Sequence, residues 1–280
     1  LTSQKIQYII DIDTIKYKID TIFIMLKDLY REFYKQAFIP IFVNDGMDAL
    51  LQAEACVRAG FRVIEFTQRR DDLLESLCRI KSDYPELYVL AGSAVDSSQL
   101  VQSQKRHFPH LLNFEEMVSA GIDGFVSMMK FSDRTISRYC RSHLLIPSAS
   151  TVNEARDLLD AGAHFIKILG PELGLARQIS SDPLFKFCPL FLTGGMNIER
   201  IAQAFESGAM VVASGFDLTL KGVDDCSAEG ICRVMKEYQK AALAARTRLY
   251  PALSDALYNQ DGDAWLDEVP HYVPESIRVL

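Results

Sequence analysis

The sequence predicts an α/β protein folded as a (β/α)8 TIM barrel, with a helical extension before it and a loop-rich extension after it. Three observations carry this. A helix–glycine–strand unit recurs along the chain. Short, almost wholly apolar strand patterns alternate with helical ones, as in a parallel sheet covered on both faces. Finally, no GxGxxG follows the first strand, which tells against an open dinucleotide-binding sheet.

The unit is plainest in "LQAEACVRAGFRVIEF", "NFEEMVSAGIDGFVSM", "NEARDLLDAGAHFIKI" and "RIAQAFESGAMVVASG". In each, apolar residues at three- and four-residue spacing give way to a glycine and then to a run of Val, Ile or Phe. Gly60, Gly121, Gly162 and Gly208 stand where a helix ends and a left-handed residue is wanted. Strands are expected at 39–43, 63–67, 88–94, 124–129, 144–149, 165–169, 190–193 and 210–214. Helices are expected near 73–82, 152–160 and 198–205, and "AEGICRVMKEYQKAALAARTRLY" reads as the helix that closes the ring. This divides the chain into a helical extension (1–36), a barrel (37–245) and a tail (246–280) packing on the barrel or on a neighbouring subunit. Residues 102–114 read as an insertion before the fourth strand.

Composition narrows the function. Hydrophobic residues make up 49% of the 280, enough for a large core, and the net charge is −7 without a basic run. Nucleic acid is therefore not an expected partner. No apolar run reaches the roughly 18 residues of a membrane span, and the expected location is the cytoplasm. The six cysteines form no CxxC pair and read as reduced, mostly buried thiols. His107 and His110 have no acidic or thiol partner at ligand spacing, so neither a metal nor another cofactor is expected.

Chemistry in such a barrel collects at the carboxyl ends of the strands. Glu65 lies five residues after Gly60 and Lys167 five residues after Gly162. Equal offsets in equivalent units put both at one depth, in the second and sixth strands, which face each other across an eight-stranded ring. Alternation places Glu65 on the face of Val63 and Thr67, and Lys167 on that of Phe165 and Leu169. The plain alternative is a structural ion pair, but buried pairs contribute little net stability. An amine in apolar surroundings is deprotonated more easily and attacks ketones to give a Schiff base, with the carboxylate moving protons. Thr193, Gly194 and Gly195 end the seventh strand and Ser214 and Gly215 the eighth, where this fold often holds phosphate. Arg69 can clamp a carboxylate, whereas Arg70 reads as a solvated helix-start charge. Lys130, at the end of the fourth strand, is a rival amine whose parity points it off the inner face.

These stretches resemble the class I aldolases that act on 2-keto-3-deoxy-6-phosphogluconate or 4-hydroxy-2-oxoglutarate. The resemblance covers about residues 39–218 and rests on "IEFTQR", "LAGSAV", "IPSASTVNEA", "FIKILGPE" and "LTGGMN", in that order. It implies that Lys167 forms the Schiff base and that Glu65 is the general acid and base. It places Arg69 and Ser93 at the keto-acid carboxylate and Thr193, Gly194 and Gly195 at a distal phosphate. By the same matching, Pro147, Ser214 and Gly215 join the substrate-binding set. It further implies a small-molecule 2-keto acid substrate, no cofactor and a homotrimer.

The chain departs from that pattern in places. Met128-Met129 replaces Pro-Gly after Ser127, Ser148 replaces the glycine after Pro147, and Gly170 stands where the family has proline, with Pro171 one place late. Glu172 is retained. The expected activity is cleavage of a 2-keto acid to pyruvate, with glyoxylate or another aldehyde, on a substrate phosphorylated or not. The alternatives are a non-catalytic barrel that binds a phosphorylated ligand and a Schiff-base keto-acid decarboxylase.

Overall fold

A computed structural model describes residues 12–43, 46–170, 173–215, 223–260 and 262–278, with side chains from residue 22 onward. Eight parallel strands alternate with helices: β1 (Phe38–Phe42), β2 (Val63–Thr67), β3 (Tyr88–Gly92), β4 (Gly124–Val126), β5 (Leu144–Ile146), β6 (Ile166–Leu169), β7 (Leu190–Thr193) and β8 (Ala209–Ser214). They hydrogen-bond in the order β5-β4-β3-β2-β1-β8-β7-β6. The ends of that sheet meet. Lys167 N donates to Pro147 O at 2.8 Å and Ala149 N to Lys167 O at 3.1 Å, so β6 is stitched to the chain leaving β5 and the barrel is closed.

The helices are α1 (Ile12–Gln36), α2 (Ala49–Ala59), α3 (Leu73–Asp83), α4 (Ser98–Gln104), α5 (Phe114–Ser119), α6 (Asp133–Tyr139), α7 (Val152–Asp160), α8 (Gly174–Ser181), α9 (Ile198–Glu206), α10 (Ala228–Leu249), α11 (Pro251–Asn259) and α12 (Glu275–Arg278). A 3-10 turn spans Ala264–Leu266. The four glycines of the repeated unit all have positive φ, from 82° at Gly60 to 105° at Gly162. Polar side chains cap the opposite ends of these helices: Asp48, Asn113, Thr151 and Asn197 each accept a first-turn backbone N–H. Residues 102–114 hold the end of α4, a loop and the start of α5, so the crossover between β3 and β4 is a helix broken in two. β3, β4 and β5 are shorter than expected. Ser93 leaves the strand at φ 60°, Ser127 Oγ takes the Met129 N–H at 3.0 Å, and Pro147 has no N–H to give.

Period-2 alternation sorts the strand residues into two apolar layers. Phe38, Phe42, Phe66, Phe125, Ile166 and Leu192 face the ring of helices. Ile39, Val63, Leu90, Val126, Phe165 and Phe191 fill the barrel. α10 packs between α2 and α9 and completes the ring.

The inner layer runs on into the two extensions. Leu29, Tyr30, Phe33 and Tyr34 of α1 lie on Phe165 and Phe191, and Leu257, Trp265, Val273 and Ile277 pack with them. Gln36 ties α1 to the strand starts, donating to Phe38 O and Val63 O at 2.9 and 2.6 Å and accepting from Arg62 N and Val63 N at 2.9 and 3.0 Å. Both extensions thus close the amino ends of the strands. Each fully buried aromatic there stabilises the fold by about 1.5–3 kcal/mol relative to exposure.

Among the described residues no helix is long and apolar enough to cross a membrane. All six cysteines are free. Cys56, Cys188 and Cys232 are buried as expected, but Cys78 and Cys226 are exposed and Cys140 lies between.

Candidate active site

At the carboxyl ends of the strands lies a cavity of about 240 Å3, lined by Ile41, Val43, Glu65, Arg69, Ser93, Met128, Lys167, Leu169, Thr193, Gly194, Gly195, Met196, Ser214 and Gly215. Every one of the ten residues singled out in the sequence lines it except Pro147. Pro147 is buried in the wall instead, where its carbonyl accepts from Lys167 N. Lys130 is exposed and borders a neighbouring depression, which Met128 also lines. Pro171 and Glu172 lie outside the described residues.

Lys167 and Glu65 enter from opposite walls. β2 and β6 are four steps apart in either direction round the closed ring. Lys167 is 4% exposed and Glu65 1%. The lysine backbone is fixed at three points, by Pro147 O, Ala149 N and Ser148 Oγ, which donates to Lys167 O at 3.0 Å. Glu65 is held in register against Ile41 of β1 and Leu90 of β3.

Burial sets their charge. It pushes the Lys167 amine below the usual lysine range; the Glu65 carboxylate opposes this and the Arg69 guanidinium reinforces it. Burial pushes Glu65 above the usual carboxylate range, opposed by Lys167 and then Arg69. The two residues act on each other through charge, without a hydrogen bond between them, and buried Glu65 Oε2 has no hydrogen-bond partner. An amine and a carboxyl, each pushed by burial toward its neutral form, therefore face one space.

The remaining walls are polar in particular places. Arg69 is exposed at the rim. Arg70, expected to be solvated, is fully buried. It donates to both Asp72 carboxylate oxygens at 2.9 and 2.8 Å and to Met47 O at 3.1 Å, with its guanidinium 5.4 Å over the Phe66 ring. The chain turns just past β2, with Gln68 N bonded to Gly92 O and Arg70 N to Thr67 O, and this turn sends Arg69 to the cavity and Arg70 inward. His110 is tied to Asp71 and to Gln68 O, which closes the back of the same turn.

Gly194 and Gly195, both at positive φ, are consecutive lining residues of the cavity. The Ser214 hydroxyl donates to Met196 O at 2.8 Å, tying the end of β8 to the loop after β7. Gly170 takes φ 131°, a conformation closed to proline.

Five lining residues were not singled out in the sequence: Ile41, Val43, Met128, Leu169 and Met196. Ile41 shares the inward parity of its strand. Met128 entered the sequence reading only as a departure from the family pattern, and Leu169 only as a residue on the face of Lys167.

No family model matches the chain. The 2-dehydro-3-deoxy-phosphogluconate aldolase of Dickeya dadantii (strain 3937) is 27% identical over 173 residues, 58% of this chain and 71% of that one. Two solved structures share the fold. A native KDPGal structure aligns with a TM-score of 0.58 at 21% identity, over 74% of this chain and 94% of that one. The KDPG aldolase of Legionella pneumophila, with pyruvate captured as a covalent carbinolamine, aligns with a TM-score of 0.59 at 19% identity, over 73% and 95%. The sequence is thus similar to that of a 2-dehydro-3-deoxy-phosphogluconate aldolase, and the fold is the one these two solved structures share.

Proposed function

We propose that the protein is a class I aldolase that cleaves a 2-keto-3-deoxy sugar acid, phosphorylated or not, or 4-hydroxy-2-oxoglutarate, to pyruvate and an aldehyde. The observation that carries this is Lys167, an amine whose basicity burial lowers, facing a carboxyl whose acidity burial lowers, in one cavity at the catalytic end of the barrel.

The residues support each step. Neutral Lys167 Nζ attacks the C2 ketone to give a carbinolamine, and loss of water leaves a protonated imine. Glu65 removes the C4 hydroxyl proton. The C3–C4 bond breaks, its electron pair flows into the iminium, and the aldehyde leaves an enamine. Glu65 returns the proton to C3, and hydrolysis releases pyruvate and the free lysine. Arg69 and Ser93 are the groups for the C1 carboxylate. Thr193, Gly194, Gly195 and Gly215 line the distal end, with amides suited to an anion. Ser214 contributes by fixing Met196. The same likeness supports a homo-oligomer, for which we propose a trimer, and the proposed location is the cytoplasm.

Borohydride in the presence of pyruvate is expected to add a covalent mass to the peptide carrying Lys167, and Lys167→Met to remove it. An adduct that survives Lys167→Met, or none in the wild type, overturns the reading. A panel of 2-keto acids then gives the substrate, and analysis of the second product separates aldol cleavage from decarboxylation.

A further inference from the structure

Glu65 is the group asked to move protons, yet its free carboxylate oxygen is held by no hydrogen bond. Something else must aim it. The side chain lies against Gly92, across the β2–β3 ladder where Thr67 pairs with Gly92. A Cβ built on Gly92 falls 2.2 Å from Glu65 Oε1, 2.9 Å from its Cδ and 3.0 Å from its Cγ. These are its three nearest neighbours, and all belong to Glu65.

The backbone does not ask for glycine here. Gly92 is absent from the residues at positive φ, so alanine fits its conformation. Nor can the strand retreat. Gln68 N donates to Gly92 O at 2.9 Å, Ala94 N to Val126 O at 3.0 Å, and Ser127 Oγ to Ala94 O at 2.7 Å. Pinned to both neighbouring strands, the β3 end leaves only the Glu65 carboxyl to give way. The residue after Gly92 is Ser93, which turns into the cavity at φ 60°.

We infer that Gly92 is a positioning residue for Glu65: its missing side chain is the slot in which the carboxyl lies, and this slot, rather than a hydrogen bond, aims the proton-transfer group across the cavity at the carbon next to the Lys167 imine. This rests on the aldolase reading above. A methyl group at residue 92 evicts the carboxyl while leaving the lysine chemistry in place.

Exchange of the pyruvate methyl hydrogens in D2O isolates the step. Imine formation at Lys167 makes C3 acidic; its proton passes to Glu65, the C–H electron pair forms the enamine, and return of a deuteron from the solvent-exchanged carboxyl labels the methyl. Gly92→Ala is expected to keep borohydride trapping of pyruvate within about threefold of wild type, while slowing exchange about 100-fold, as does Glu65→Ala. In the Glu65→Ala background, Gly92→Ala is expected to change exchange less than twofold. The exchange pH profile of Gly92→Ala is expected to lose the limb that Glu65→Ala also removes.

Exchange in Gly92→Ala within twofold of wild type, or losses that multiply in the double variant, overturns the inference. Failure of the wild type to trap pyruvate overturns the aldolase reading instead. Should Gly92→Ala fail to fold, Glu65→Ala/Gly92→Ala is expected to fold, because the clashing side chain is gone; a double variant equally unfolded overturns the inference.

Discussion

Lys167 and Glu65 face each other from strands at opposite points of a closed eight-strand ring, each nearly without solvent exposure, and no hydrogen bond joins them. A structural ion pair would close that gap, since a buried charge gains most from direct contact. The arrangement instead keeps a reactant-sized space between an amine and a carboxyl, each pushed by burial toward its neutral form.

The sign of their coupling can be tested. Glu65 props up the basicity of Lys167. In Glu65→Gln that support is lost, so Lys167 deprotonates at lower pH. The acid limb of pyruvate trapping is expected to move to lower pH, while turnover falls about 100-fold or more. Trapping rates across a pH series check the first and steady-state kinetics the second; a limb displaced to higher pH contradicts the assignment.

The adjacent arginines should separate cleanly. Arg69→Ala is expected to raise KM for the keto acid about 10- to 100-fold, the size of a lost charged hydrogen bond, with an unchanged melting temperature. Arg70→Lys cannot span both Asp72 oxygens and Met47 O. It is expected to lower stability by about 1–2 kcal/mol with little change in KM. Urea denaturation and kinetics on the same two variants decide.

Three histidines set the acid side of stability. Burial lowers His164 to about 3 and His143 and His271 to about 4, below the ordinary histidine value of 6.5. His164 is held neutral as an acceptor, taking the Leu145 N–H at Nδ1. The unfolded chain binds these protons first, so the contribution is complete above about pH 6.5 and is lost as pH falls toward 4. Unfolding free energy is expected to drop by several kcal/mol, in order of magnitude, between pH 7 and 4. Urea titrations at pH 7.5, 6 and 5 measure the slope; a flat profile refutes it.

Most of the barrel was legible because its unit repeats. Gly60 and Gly162 mark equivalent helix ends, so counting five residues onward found Glu65 and Lys167 without any tertiary information. The same counting failed just beyond a strand. Arg69 and Arg70 differ by one position at a turn, where alternation no longer says which side chain points inward. The termini were illegible for another reason. Tyr30, Phe33 and Tyr34 share a helix face, and such a face declares that it must be covered, not by which end of the barrel. Gly92 was not singled out in the sequence, because its meaning lies in Glu65 across the ladder.

The stitching of β6 to β5 has a thermodynamic corollary. The seam where the barrel closes runs through the backbone of Lys167, bonded to Pro147, Ser148 and Ala149, and through Leu145, whose carbonyl takes the His164 N–H. Fraying of that joint would wet the amine and return it toward ordinary lysine basicity. The basicity of the Lys167 amine and closure of the ring are therefore linked quantities. Subdenaturing urea, or Ser148→Ala at a cost of about 1 kcal/mol, should dull Lys167 at neutral pH before any secondary structure is lost.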